Sequence, residues 1–149
     1  MSARSPGLTA ILARASDKSR EALSRAEDEA LAWLEEVRSG ARSRDRKCVT
    51  CGRGPPLEDI HVAGRRHGDL TVPQCPPCHQ EFTEGQDLWD PRWQTEARTP
   101  ELDEALLLLG LHDLLVLRAR FTATSKVGAY LALSESIREQ YARSGRKTL

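Results

Sequence analysis

Four cysteines fall in two matched pairs, Cys48-Val49-Thr50-Cys51 and Cys75-Pro76-Pro77-Cys78. A two-residue spacer turns both thiolates of a pair to one side, and two such pairs supply the tetrahedron of soft ligands that zinc takes. Gly52 and Gly54 relax the first knuckle; Pro76 and Pro77 stiffen the second. The 23 residues between Cys51 and Cys75 slightly exceed the usual insert of roughly 15–20 residues. They look like a hairpin that carries the second knuckle back to the first. Four thiolates close the metal's coordination shell, so a structural zinc is expected rather than a catalytic one. Such a zinc contributes directly to folding, because a hairpin and a turn of helix do not stand alone. The sequence has no phosphate-cradling glycine loop, dinucleotide fingerprint or nucleophile elbow.

Around these cysteines the text reads Leu57-Glu-Asp-Ile-His61-Val-Ala-Gly-Arg65, then Leu70-Thr-Val-Pro73, and Cys78-His79. Residues 48–82 therefore resemble the HNH nuclease family, whose ββα-metal unit often carries this zinc pair. The resemblance implies metal-dependent hydrolysis of DNA phosphodiester bonds. It places His61 at the general-base position and His79 at a ligand position for a second divalent metal (magnesium, manganese, nickel or zinc). Two departures stand out. Ile60 occupies the position of the first catalytic ligand, and the chain contains no Asn to orient the base. Asp59 is the nearest carboxylate and needs a β-bulge to turn toward that position. The other reading is a catalytically inactive module that binds DNA or serves as an adaptor. His67 is expected in an exposed turn, and His112, beside Asp113, as an ordinary helix histidine.

These residues need elements to hold them. Apolar or small residues recur by fours and threes at Leu8, Leu12, Ala15, Ser19, Ala22, Ala26, Ala30, Trp33 and Val37, which predicts one helix over 8–39. Its Ala-rich stripe is thin, so it is expected to pack on the C-terminal helices or on a second copy. Strands are predicted at Ile60–Ala63 and Leu70–Val72, and a short helix from Cys78 to Glu84. Trp89-Asp90-Pro91-Arg92-Trp93 reads as an aromatic turn that plugs the small zinc core. Thr99-Pro100-Glu101 opens a helix running to about Phe121, disturbed at Gly110. A last helix is predicted over 125–142, with Val127, Tyr130, Leu131, Ser134, Ile137 and Tyr141 on one face. The expected fold is a small α+β protein: a zinc-stapled ββα, HNH-like unit flanked by a long N-terminal helix and two C-terminal helices. Its parts are a helix and basic linker (1–47), the zinc domain (48–98), a helical region (99–143) and a flexible tail (144–149).

Composition sets the remaining bounds. The chain has 149 residues, 22 basic and 22 acidic side chains, and zero net charge. Yet Arg38, Arg42, Arg44, Arg46, Lys47 and Arg53 are opposed only by Asp45 over their stretch. With Arg65 and Arg66 of the hairpin turn, the run Arg44, Arg46 and Lys47 is the best candidate for phosphate contact. DNA is the expected partner, with a homodimer or a protein partner through the long helices. The longest apolar run, 105–117, is too short for a span of roughly 20 residues. The N-terminus lacks a secretion signal's apolar stretch, so a cytoplasmic location is expected, where thiols stay reduced and favour metal over disulfides. Eighteen Arg against four Lys, with no Asn, points to a GC-rich bacterial or phage coding bias.

Overall fold

The computed structural model describes residues 6–89 and 97–143; in its first helix, side chains are described for Asp17 and from Arg20 onward. Helix α1 runs Pro6–Arg38 and ends where Gly40 adopts a left-handed φ of 77°. A short 3-10 helix, Ala41–Arg44, follows. Strands β1 (Glu58–His61) and β2 (Thr71–Gln74) form a two-stranded antiparallel sheet. Helix α2 is Pro76–Gln86, α3 is Pro100–Ala119 and α4 is Thr124–Arg143. The described residues thus form a small α+β fold of four α-helices and one hairpin, with the four cysteines beside the hairpin.

The hairpin is displaced from its expected place. Its register pairs Glu58 with Gln74, Ile60 with Val72 and His61 with Thr71. Each strand carries polar residues at its outer end, where hydrophobicity alone marks no strand. Ile60 and Val72 are buried, so this face of the sheet belongs to the core, and a one-residue slip would expose both.

Alpha1 lies on α4. Glu29 pairs with Lys126 at 2.9 Å, and Trp33 meets Tyr130 edge-on at 6.1 Å. Burial begins at Ala26 and continues through Ala30, Trp33, Leu34 and Val37. Ala22, expected on the packed stripe, is exposed, because α4 begins alongside the Glu29 turn and offers nothing earlier to pack on. The expected docking on the C-terminal helices therefore holds for the second half of α1.

Alpha3 and α4 form an antiparallel helical hairpin, with Tyr141 buried against Leu102, Ala105 and Leu106. Thr99 caps α3 by accepting from the Leu102 amide at 3.1 Å. Gly110 does not disturb this helix. A Cβ there would fall 1.9 Å from the Val62 carbonyl oxygen, so the glycine is where α3 and the end of β1 touch. In α4, Tyr130, Ser134, Ile137 and Tyr141 are buried as expected, but Leu131 is 40% exposed. One core cluster draws on α1, the first knuckle, both strands, α2, α3 and α4. The tail 144–149 and Trp93 lie outside the described residues. Trp89 donates its indole N–H to Asp113 at 3.2 Å and packs on the Leu102–Leu106 cluster. No helix among the described residues is long and apolar enough to cross a membrane.

Candidate metal centre and its surroundings

The fold brings all four cysteines together. One sulfur from each of Cys48, Cys51, Cys75 and Cys78 lies within 4.8 Å of every other, and Cys51 and Cys75 are 3.6 Å apart. Sulfurs about 2.3 Å from a tetrahedral zinc stand roughly 3.8 Å from one another, so this donor set fits the ion. Among the described residues it is the one group of three or more Cys, His, Asp or Glu side chains so placed.

The thiols differ in their electrostatics. Burial opposes ionisation of Cys48, but backbone amides of Cys51, Cys75 and Thr50 outweigh it and draw the thiol down to about 7. Burial and the neighbouring sulfurs push Cys51 and Cys78 up. Four thiolates this close repel one another, and a dication among them reverses that balance.

The first knuckle is held from outside by three elements. Trp33 of α1 donates to the Val49 carbonyl at 3.2 Å. The Val49 amide donates to Pro73 of β2 at 2.8 Å. Arg118 of α3 donates to the Thr50 carbonyl at 2.9 Å. Gln74 of β2, fully buried, donates to the Thr50 hydroxyl at 2.8 Å. The two residues between Cys48 and Cys51 are therefore fixed by side chains up to 68 positions away. Nothing in the local spacing marks Trp33, Gln74 or Arg118 for this work.

The second knuckle opens α2. Cys75 sits at its N-cap with extended backbone, the two prolines occupy the first turn, and the His79 amide donates to the Cys75 carbonyl at 2.9 Å. His79 thereby turns toward β1, where its Nδ1 lies 2.6 Å from a carboxylate oxygen of Glu58. Both side chains remain partly exposed. Glu58 was not singled out by the sequence. It shares a strand face with Ile60, two residues on, and that face looks onto α2.

Ile60 is 3% exposed and packs in the core cluster that includes Phe82 of α2. Asp59 is exposed, opposite Pro73, and Glu58 is the carboxylate that meets His79. His61 is partly buried at the end of β1. Its carbonyl, with that of Val62, accepts from the Gln86 side chain at 3.3 and 3.4 Å. The last turn of α2 thus fixes the backbone that carries His61.

His67 departs from expectation. It is 5% exposed, not a solvated turn residue, and its Nδ1 lies 3.1 Å from Asp103 at the start of α3. Arg98 donates to the other oxygen of Asp103 at 2.7 Å. His112 bonds to the neighbouring Asp113 at 3.0 Å, as expected of a helix histidine. Arg65 and Arg66 are exposed in the hairpin turn, and Arg44, Arg46 and Lys47 are exposed before the first knuckle. No protein family, curated protein or solved structure matches the chain.

Proposed function

We propose that the chain is an HNH-like nuclease module acting on DNA. The four cysteines hold a structural zinc, and the seam between β1 and α2 carries the chemistry. The observation behind this reading is the Glu58–His79 pair at 2.6 Å. Ile60 removes the ligand expected on β1, but Glu58 presents a carboxylate on the same strand face and meets the imidazole of α2. A carboxylate and an imidazole, both partly exposed, suit a divalent metal that completes its shell with water and substrate phosphate. When bound, that metal would stabilise charge on the phosphate and the leaving oxygen. His61, farther along β1 but on the strand face opposite Glu58, is the general base that the HNH resemblance implies. Gln86 fixes its backbone through the His61 and Val62 carbonyls.

A second reading has its own observation. Ile60 is packed into the core, so the position of the usual first ligand serves folding. On that reading the module is a retired nuclease that retains its zinc and binds DNA without cutting it.

Plasmid cleavage by zinc-loaded protein, with magnesium, manganese or nickel added separately, decides between them. The nuclease reading predicts metal-dependent nicking that falls by roughly two orders of magnitude or more in His61→Ala. It predicts a comparable loss in Glu58→Gln and His79→Ala, with zinc content unchanged. No nicking with any metal, from protein that carries its zinc, selects the retired module.

A further inference from the structure

Residues 38–53 hold six cations and one acid, Asp45, in a molecule of zero net charge. Arg42 spends its guanidinium on that acid and on Glu36, at 3.3 and 2.6 Å. The other five, Arg38, Arg44, Arg46, Lys47 and Arg53, are exposed and make no ion pair among the described residues. They are also close in space. Residues 44–47 cannot span more than about 11 Å. The Cys48 amide donates to the Arg53 carbonyl at 2.8 Å, which brings Lys47 and Arg53 to the two ends of one closed loop.

Two further observations set this stretch apart from a solvated linker. Arg46 is the one described non-glycine residue with positive φ, 52°. A glycine would sit there without steric cost, and the chain places a cation instead. The loop is also rigidly mounted, since the knuckle it flanks is clamped by Trp33, Pro73, Gln74 and Arg118.

We propose that this rim of the first knuckle, Arg44, Arg46, Lys47 and Arg53 with Arg38 beside it, is a docking surface for the phosphate backbone of duplex DNA. The inference rests on the DNA-binding half of the functional reading and is independent of cleavage. Fixed cations without neutralising partners gain most from a polyanion, through release of its condensed counterions. None of the large apolar side chains exposed among the described residues, Leu23, Leu31, Leu88, Phe121 and Leu131, belongs to residues 38–53. Docking on a lipid surface uses apolar anchors beside the cations, and stacking on single strands uses exposed aromatics; the rim offers neither. The contact is therefore to backbone and indifferent to sequence.

The test is fluorescence anisotropy of a labelled mixed-sequence duplex, titrated from low to moderate salt. The zinc-loaded His61→Ala protein is used so that no substrate is cut. The expected slope of log affinity against log salt is about −0.9 for each phosphate neutralised. Changing Arg44, Arg46, Lys47 and Arg53 to Gln should flatten it by roughly three and a half units. Changing the three arginines to Lys should preserve it, and so should Arg20→Gln with Arg25→Gln on α1. If the Gln variant loses zinc, single Arg53→Gln and Arg44→Gln variants are expected to flatten the slope by about one unit each. An unchanged slope in zinc-loaded Gln variants overturns the proposal, as does binding to phosphatidylserine vesicles without binding to the duplex. DNA binding through the rim with no plasmid nicking would retire the nuclease reading and leave this surface standing. Nicking by a protein whose rim variants bind as tightly as the parent would do the reverse.

Discussion

At the scale of single residues, the sequence told most where chemistry demands a spacing. The two knuckles were legible because zinc needs four thiolates, and the fold gathers them within 4.8 Å. Glu58 was not legible, because its role follows from the hairpin register that brings it against His79. His67 was misjudged for a related reason. A polar residue among glycines and arginines reads as solvated, yet His67 is buried with Asp103 of α3 as its partner at 3.1 Å. Burial raises the Asp103 carboxyl, but its bonds to Arg98 and His67 prevail and hold it below the ordinary carboxylate value. A carboxyl depressed in the folded state contributes stability above its unfolded pKa, near 3.9. That contribution disappears as the pH falls through the folded value. Asp103→Asn should therefore lower the urea midpoint at pH 7, with the gap to the parent closing in strong acid. A gap that is the same at pH 7 and at pH 2–3 would show that the ionised carboxylate contributes nothing.

At the scale of elements, helices were read nearly to their ends and strands were not. The four helices carry either a long period or strong terminal signals, such as Thr99 with Pro100. The strands are four residues each, too short for alternation to fix an edge, and both lie one or two positions farther from the turn than the sequence suggests. Gly110 shows what a local reading misses. Inside a helix it counts as a weak point, but here it lets α3 reach the Val62 carbonyl, which also accepts from Gln86. That contact ties the end of β1, and so His61, to both α2 and α3. A Cβ 1.9 Å from a backbone oxygen cannot be relieved by turning a side chain. Gly110→Ala should then cost about 3 kcal/mol or more, although alanine favours helix elsewhere. Thermal or urea unfolding checks this, and a variant as stable as the parent would mean that α3 and β1 do not meet as described.

At the scale of the molecule, the four-cysteine unit is built into the helical body. Its first knuckle is fixed by α1, β2 and α3, and its hairpin and α2 share one core with α1, α3 and α4. The sequence suggested a zinc domain with helical attachments because the cysteines mark a local unit and the clamps on it come from far away. Helix packing centred on Trp33 and Tyr130 gives the chain one source of order; a zinc on the four thiolates would give it a second. The claim on which the rest depends is that the four thiolates hold one zinc. Native mass spectrometry of protein purified without added chelator, beside Cys75→Ser, tests it directly. The account predicts one zinc per chain in the parent and its loss in the variant. It also predicts that a chelator will raise hydrogen exchange in residues 58–82 ahead of α3 and α4. A metal-free parent with its hairpin protected, or a variant that keeps zinc as tightly, would contradict it.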